Sequence, residues 1–246
     1  MLYDAIAIIP ARYASTRLPA KPLLKETGKF LIQHAYETAL RSKYFDRVIV
    51  ATDDERIYKA VKSFGGEAVM TSVHHKSGTD RIAEAVKNLD AKIIINVQGD
   101  NPEIPKNYFK KLIEVTSEKD VDIGTLVCEW TSDIDPRDPN KVKAVIDKNN
   151  NALYFSRSLI PYDKFPLNKG GQRGLYYFHI GLYGFKKKSL IEFTKLKPSK
   201  LELIENLEQL RALENGMKIK VGVVNKPAFG IDTPEDYKKF VKSVKK

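Results

Sequence analysis

Residues 4–24 read DAIAIIPARYASTRLPAKPLL. They open with the apolar run 5–9, whose isoleucines and alanines are typical of a strand buried on both faces of a parallel sheet. We expect Pro10 to end this strand, because proline cannot donate a hydrogen bond to a neighbouring strand. A helix is expected from about residue 31. The order strand, loop and helix is the opening unit of an α/β fold.

The loop that follows the strand carries the cations Arg12, Arg17 and Lys21 among small residues. Small side chains let a ligand approach the backbone, whose free N–H groups can join the cations in binding a polyanion. Open α/β sheets bind ligands at the carboxyl ends of their strands, where this loop lies. The loop has neither the GxGxxG nor the GxxxxGK[ST] pattern, so side chains more than glycines would hold phosphate. The alternative is a solvated surface loop with scattered basic residues.

Short apolar runs alternate with amphipathic segments through the first half of the chain. The former predict strands and the latter predict helices. The predicted strands are residues 47–52, 67–70, 92–97 and 122–128, and the predicted helices are residues 31–42, 54–64, 80–88 and 105–116. This alternation predicts the α/β class, with a mostly parallel, Rossmann-like sheet and helices on both faces.

The pattern changes after about residue 130. A turn at 149–151, three asparagines in a row, separates two short strands. The predicted strands of this half are residues 143–146, 153–155, 176–185 and 220–224, and the predicted helices are residues 204–215 and 234–244. We therefore predict a single domain, residues 1–246, with an inserted β-rich segment at about 130–190 that carries substrate contacts or a dimer interface.

The composition is that of a strongly basic globular protein. Of 246 residues, 42% are hydrophobic and 30% charged, and the formal net charge of +11 admits nucleic acid, a membrane surface or small anions as partners. The lysines lack the interleaved aromatics of a nucleic-acid module, so a nucleic-acid-binding protein is the weaker alternative to an enzyme. No apolar run approaches the ~20 residues of a membrane-spanning helix, and no signal peptide is visible. With Cys128 as the one cysteine, we expect a cytoplasmic protein without membrane insertion.

Two aspartates stand at loops that the fold could bring together. Asp100 follows a glycine at the end of the predicted strand 92–97, and Asp232 lies just before the predicted helix 234–244. Each residue alone is ordinary, since aspartate commonly forms turns and caps helices. Together they would give Mg²⁺ the hard oxygen ligands that it takes from proteins, against a triphosphate.

Seven motifs between residues 10 and 236 carry a family resemblance that covers residues 7–236. They are PARYASTRLPAKPL at residues 10–23, HKSGTDR at 75–81, QGD at 98–100, ALYFSR at 152–157, HIGLYG at 179–184, LEQLR at 207–211 and GIDTPED at 230–236. In type and order they resemble the motifs of the 3-deoxy-manno-octulosonate (Kdo) cytidylyltransferases, also called CMP-Kdo synthetases. Seven ordered motifs are far more specific than any one of them.

The resemblance implies an activity and the residues that perform it. CMP would pass from CTP to a Kdo-type sugar acid, with Mg²⁺ as cofactor, in a homodimeric nucleotidyltransferase that serves lipopolysaccharide biosynthesis. Arg12, Ser15 and Lys21 would hold the CTP phosphates, and Ala11, Ser77 and Gly78 would border the cytosine and ribose. Asp100 and Asp232 would be the metal ligands and, with Arg12 and Lys21, the catalytic residues. The sugar-acid site would comprise Gln98, Arg157, His179, Tyr183, Glu208 and Gln209.

Four positions depart from the family pattern and leave the exact sugar open. They are Ala20 for glycine, Asp80 for glutamate, Asn101 for glutamate and Phe178 for arginine. Asn101 removes a negative charge near the proposed metal site, and Phe178 removes a positive charge near the proposed sugar site. An 8-amino-Kdo or another 2-keto-3-deoxy sugar acid is the alternative substrate. A nucleotidyltransferase for a sialic-acid-like sugar is a further rival, although that group usually carries a Gly-Gly-Ser-Lys type of loop in place of YASTR.

Overall fold

The computed structural model describes residues 4–14, 18–129, 135–162, 176–228 and 230–245. The chain divides into two compact units, Met1–Lys110 with Ala228–Lys246, and Lys111–Pro227. The second unit begins before and ends after the segment 130–190. The predicted single domain with an insert at that segment stays a prediction.

The described residues of the first unit form four parallel strands in the order β3-β2-β1-β4. They are β1 (Ala5–Ala11), β2 (Arg47–Thr52), β3 (Glu67–Met70) and β4 (Ile93–Asn96). β1 is central, and its Ile8 lies opposite Ile49 of β2 and Asn96 of β4. Residues 5–9 are at most 2% exposed, which explains why this run contains no polar residue.

The predicted end of the first strand at Pro10 is wrong, because β1 continues to Ala11. β4 pairs with β1 only as far as Ile8, whose carbonyl accepts from Val97 N at 3.0 Å. The backbone nitrogens and C=O groups of residues 8 and 10 point to the same side of β1, toward β4. Within the described residues, β4 has no residue paired with residue 10. The missing N–H of Pro10 therefore interrupts no ladder, while pairing with β2 persists at Ala51.

A helix follows each strand of the first unit. These are α1 (Leu31–Ser42), α2 (Glu55–Ser63), α3 (Gly78–Val86) and α4 (Lys106–Ser117), whose last residues belong to the second unit. Side chains at the residues before two of them act as N-caps, since Asp54 accepts from Arg56 N and Ser77 accepts from Asp80 N. The observed helix ends lie within two residues of those predicted from the sequence.

The described residues of the second unit form five strands. They are β5 (Ile123–Glu129), β6 (Lys143–Ile146), β7 (Ala152–Ser156), β8 (Tyr177–Lys186) and β9 (Ile219–Val224). β5 is parallel to β9 and antiparallel to β8, and β6 is antiparallel to both β7 and β8. The predicted α/β class is confirmed, with a mostly parallel sheet and added antiparallel strands.

The helices of the second unit differ from the prediction. They are α5 (Lys187–Phe193), α6 (Lys200–Glu205) and α7 (Gln209–Glu214). The single helix predicted at 204–215 is wrong, because α6 ends at Glu205 and Asn206, with φ 52°, interrupts the helical backbone before α7. Asparagine tolerates this left-handed backbone. Arg211 then ties α7 to α6, since its Nε donates to the Glu202 carboxylate at 2.8 Å.

The last helix, α8 (Pro234–Val244), belongs to the first unit and matches its predicted bounds. It begins with a capping box in which Thr233 and Asp236 satisfy each other's backbone N–H groups. Its apolar side chains join the loop after β1 in one buried cluster: Leu18, Leu31, Ile231, Tyr237, Phe240 and Val241. The end of the chain thereby lies beside the basic loop near its start. Within the described ranges, every helix is too short or too polar to span a bilayer.

Candidate active site

The carboxyl ends of β1 and β4 open into a cavity of about 320 Å³ in the first unit. Parallel strands end at one edge of a sheet, so the loops that follow them meet there with the start of α3. Eight residues with predicted binding roles line this cavity: Ala11, Arg12, Lys21, Ser77, Gly78, Gln98, Asp100 and Asp232. Ser15, which was assigned to the phosphates, lies outside the described residues.

Lys21 joins two carboxylates that are far apart in the sequence. Its Nζ lies 2.6 Å from Oδ2 of Asp100 and 3.5 Å from Oδ1 of Asp232. The lysine side chain is 13% exposed, against 30% and 49% for the two aspartates. The ammonium is therefore the most enclosed of the three charges, and both carboxylates face one cation position at the cavity.

The loop before α8 lies close against the loop after β4 and is hydrogen-bonded to it. Ile231 N donates to Asp100 O at 2.9 Å. A Cβ on Gly230 would lie 2.8 Å from Oδ1 of the buried Asn101, so only glycine allows this approach without displacing the amide. The close approach of the two loops places Asp232 beside Asp100.

Ala20 has a strained backbone directly before Lys21. Its φ of 53° and ψ of 25° are left-handed, and the short 3₁₀-helix Lys21–Leu23 starts from it. Alanine rarely adopts this conformation, because its Cβ crowds the following carbonyl, whereas glycine adopts it freely. The strain explains why the pattern that this sequence resembles has glycine at position 20.

We expect Ala20→Gly to raise the free energy of unfolding by about 0.5–1 kcal/mol. Relief of the left-handed strain, about 1–2 kcal/mol, exceeds the entropy that glycine adds to the unfolded chain, roughly 0.5–1 kcal/mol. Urea unfolding followed by circular dichroism measures the change. The matched control is Ala60→Gly within α2, where helical backbone predicts a loss of about 1 kcal/mol. A loss in both variants would contradict the strain at residue 20.

Arg81 and His75 also line the cavity, although sequence reasoning gave them no role. Arg81 is buried and donates to Oδ2 of Asp53 at 2.7 Å and to Oγ1 of Thr71 at 2.6 Å. Since these partners follow β2 and β3, the guanidinium ties α3 to the ends of two strands. His75 hydrogen-bonds the Glu84 carboxylate of α3. The available signal was the motif HKSGTDR, in which both residues stand.

Three of the predicted sugar-binding residues lie together in the second unit. The ring centroids of His179 and Tyr183, both on β8, are 5.3 Å apart. Burial, and then the charge of Glu208, hold the pKa of Tyr183 well above its ordinary value. Burial lowers the pKa of His179 to about 3. Both rings are therefore uncharged at neutral pH and can bind a ligand only through neutral hydrogen bonds and ring contacts.

Gln209 at the start of α7 presents an unused polar group. Its side chain is buried, and Nε2 has no hydrogen-bond partner among the described residues. Buried polar atoms nearly always have partners in folded proteins. An orphaned amide beside a predicted binding residue, Glu208, is the kind of group that a polar ligand satisfies.

Arg157 is engaged with the backbone. Its Nε donates to Glu205 O at 2.8 Å, its Nη1 to Pro139 O at 3.0 Å and its Nη2 to Asn206 O at 3.3 Å. These bonds tie the end of β7 to the end of α6, which is a structural role that the sequence did not indicate. Further N–H groups of the guanidinium remain available to a carboxylate. The assignment of Arg157 to the sugar acid therefore stays a prediction.

Comparison with known proteins shows which family the chain belongs to. The cytidylyltransferase family model matches residues 6–219. A 3-deoxy-manno-octulosonate cytidylyltransferase from Thermodesulfovibrio yellowstonii is 52% identical over 240 residues, which cover 94% of each chain. The chain belongs to the 3-deoxy-manno-octulosonate cytidylyltransferase family. A relative of the same name from Bacteroides thetaiotaomicron is 48% identical over 240 residues, or 95% of each chain.

A solved structure confirms the fold of this cytidylyltransferase. It is a CMP:2-keto-3-deoxy-manno-octonic acid synthetase complexed with CTP, and it matches with a TM-score of 0.90, 40% identity and 98% coverage of both chains. The predicted family and its nucleotidyltransferase fold are thus confirmed.

Two departures from the family pattern are packed into the interior of this cytidylyltransferase. Asn101 is 6% exposed and faces Gly230, and Phe178 is 5% exposed on β8, opposite Cys128 of β5. Asn101 does not line the cavity of the first unit. The replacement of the family's glutamate by Asn101 therefore affects the packing next to Asp100 and not the wall of the cavity.

Proposed function

We propose that this chain transfers CMP from CTP to 3-deoxy-manno-octulosonate at the cluster of Lys21, Asp100 and Asp232. Membership of the family supports the activity, and the single cation position between two carboxylates supports the placement. Such a position suits a reaction in which a triphosphate must be neutralised and aligned. The free, buried thiol of Cys128 is in keeping with a cytoplasmic enzyme, whose product would serve lipopolysaccharide assembly.

We assign the nucleotide to the loop after β1 and the start of α3. Arg12 is exposed and forms no ion pair within the described part of the chain, so its guanidinium is available to phosphate oxygens. Together with Lys21 and Ser15, it would hold the triphosphate. Ala11 and the segment 77–78 would border the cytosine and ribose, because small residues there leave the cavity open to a flat base.

The residues present fit a magnesium ion. Asp100 and Asp232 offer two carboxylate oxygens that already converge on one cation, the ammonium of Lys21. Mg²⁺ takes one or two carboxylates from a protein and completes its shell with water and phosphate oxygens. The site therefore needs no larger acidic cluster, and the described residues contain none. When bound, Mg²⁺ neutralises phosphate charge and polarises the α-phosphate.

The chemical step is an in-line displacement at the α-phosphorus. The anomeric hydroxyl oxygen of the sugar acid forms a bond to phosphorus and loses its proton to water. The bond from phosphorus to the oxygen that bridges to the β-phosphate breaks, and its electron pair leaves with pyrophosphate. Lys21 and Arg12 stabilise the charge that moves onto the leaving group, so positioning and neutralisation supply the catalysis.

We assign the sugar acid to Arg157, His179, Tyr183, Glu208 and Gln209, which all belong to the second unit. The uncharged ring pair and the orphaned Gln209 amide suit a ligand rich in hydroxyl groups. The departures at Asn101 and Phe178 make an 8-amino-Kdo or another 2-keto-3-deoxy sugar acid the alternative substrate.

The activity is tested by following CTP in ³¹P NMR with Mg²⁺ and a panel of sugar acids. The panel contains Kdo, 8-amino-Kdo and a sialic acid. We expect equal amounts of pyrophosphate and CMP-sugar, with the highest kcat/KM for Kdo. A higher kcat/KM for another acid would identify that acid as the substrate in place of Kdo. If no acid in the panel gave pyrophosphate, the activity would be contradicted.

We further propose a homodimer whose contact includes β7 and α6. Glu205 at the end of α6 accepts from Ser156 Oγ at 2.6 Å and from Arg157 N at 2.9 Å, so α6 lies beside the end of β7. β7 pairs only with β6 within the described residues. This region exposes large apolar side chains: Leu153 at 58%, Leu203 at 70% and Ile204 at 78%. Such a surface is typical of an interface.

Sedimentation velocity at micromolar concentration tests the dimer. We expect a dimer for the native chain and a shift to monomer for Leu203→Asp, because burying an unpaired carboxylate is costly. The matched control is Leu40→Asp, an exposed leucine of α1 in the first unit, which should remain a dimer. A native chain that sediments only as monomer would refute the proposal.

A further inference from the structure

His179 and Tyr183 meet because β8 contains a bulge. In the ladder between β5 and β8, Tyr183 lies opposite Thr125 and His179 lies opposite Val127. The register shifts between these pairs, so three residues of β8, 180–182, face the single residue 126. Gly181 has φ 72°, a left-handed conformation that glycine adopts without strain.

The bulge shortens the distance between the two rings. In a regular strand, residues four apart would be separated by about 13 Å. Here they lie opposite residues only two apart on β5, and their ring centroids are 5.3 Å apart. Phe155 packs against His179 from β7, with centroids 4.9 Å apart. The imidazole therefore contacts two aromatic rings, those of Phe155 and Tyr183.

Thr125 supplies the polar partner of this imidazole. Its side chain is fully buried, and its Oγ1 lies 2.8 Å from Leu182 O and 2.9 Å from Nε2 of His179. A carbonyl oxygen only accepts, so the single hydroxyl hydrogen of Thr125 is donated to Leu182. Oγ1 must then act as the acceptor toward His179, and Nε2 carries the ring hydrogen.

We propose that Thr125 is a positioning residue that holds His179 as the Nε2–H tautomer, so that Nδ1 offers a lone pair to a hydroxyl of the sugar acid. No hydrogen bond within the described residues uses Nδ1. Burial keeps the imidazole neutral at physiological pH, since it lowers the pKa of His179 to about 3. This inference rests on the proposed function, in which His179 contacts the sugar.

The tautomer is measured directly in protein labelled with ¹⁵N-histidine. Long-range ¹H–¹⁵N correlation spectra at neutral pH distinguish the protonated from the unprotonated ring nitrogen. His179→Gln identifies the His179 signals among those of the four histidines. We expect the Nε2–H form in the native chain and in Thr125→Ser, which keeps the hydroxyl. Thr125→Val, which preserves shape without it, should shift His179 toward a mixture of tautomers.

Kinetics show whether the tautomer matters for the sugar. Thr125→Val should raise the KM for Kdo about five- to tenfold, the scale of one neutral hydrogen bond, and leave the KM for CTP unchanged. Thr125→Ser should restore the native value. The control is Thr116→Val, another buried threonine of the second unit, whose hydroxyl bonds Leu112 O within α4.

Each outcome separates the inference from the proposed function. An Nδ1–H form of His179 in the native spectrum would overturn the assignment, as would an unchanged tautomer in Thr125→Val. A shifted tautomer with an unchanged KM for Kdo would overturn the positioning role. If His179→Gln also leaves that KM unchanged, the proposed function of His179 fails, whereas a rise in His179→Gln alone leaves only the role of Thr125 refuted.

Discussion

Asp100→Asn and Asp232→Asn are each expected to lower turnover on the order of 10²–10³-fold, the scale of removing one electrostatic contact to a transition state. Each substitution keeps the shape of the side chain and removes one of the two charges that enclose the cation position. The fold should survive, because both carboxylates are partly exposed and neither is needed to complete a core. Circular dichroism checks the fold, and pyrophosphate release over a range of Mg²⁺ concentrations measures the loss.

The double variant distinguishes a shared site from two separate ones. If the two aspartates act as a unit, the pair should be little worse than either single variant. The control is Asp90→Asn, an exposed carboxylate of the same unit, which should turn over normally. Near-normal turnover with unaltered Mg²⁺ dependence in either folded single variant would remove that aspartate from the site.

Lys21→Ala is expected to lower kcat roughly 10²-fold or more. The substitution removes the ammonium that stabilises the negative charge developing on the phosphates in the transition state. The side chain is enclosed beside the two carboxylates, so bulk solvent cannot easily replace its charge. The KM for CTP should change less than kcat, since the interaction strengthens as the reaction proceeds. Steady-state pyrophosphate release gives both constants.

Lys25→Ala is the matched control for Lys21. Lys25 lies in the same loop, but its Nζ stacks 4.7 Å from the centroid of the Phe30 ring and does not line the cavity. Its removal should leave kcat near the native value. If Lys21→Ala raised only the KM for CTP and left kcat unchanged, Lys21 would bind the nucleotide equally in the ground state and the transition state.

The sheet edge of the first unit could be predicted from local sequence because its signals are local. Residues 5–9 are apolar throughout, and the basic loop follows directly, so a ligand site at this edge was expected. The bounds of α8 were also predicted, since Pro234 and the capping residues Thr233 and Asp236 stand together. Pro10 was misjudged because the sequence does not reveal where β4 stops pairing.

Other features depend on contacts between distant residues and have no local signal. Lys21 bonds carboxylates 79 and 211 residues away, and no spacing rule predicts such a pair. The break at Asn206 was missed because the apolar spacing continues across it, although Ser199 and Glu202 form a capping box that marks the start of α6. The backbone bonds of Arg157 arise from tertiary packing of α6 against β7 and could not be read from its motif.

The central claim is that one cation position between Asp100 and Asp232 serves the transfer from CTP. Crystals grown with CTP and Mn²⁺ in place of Mg²⁺ test it through the anomalous scattering of the metal. We predict one anomalous peak within about 2.0–2.3 Å of an oxygen of each carboxylate, with Lys21 Nζ displaced from Asp100 toward the phosphates. A metal peak that contacts only one of the two aspartates, or neither, would contradict the account.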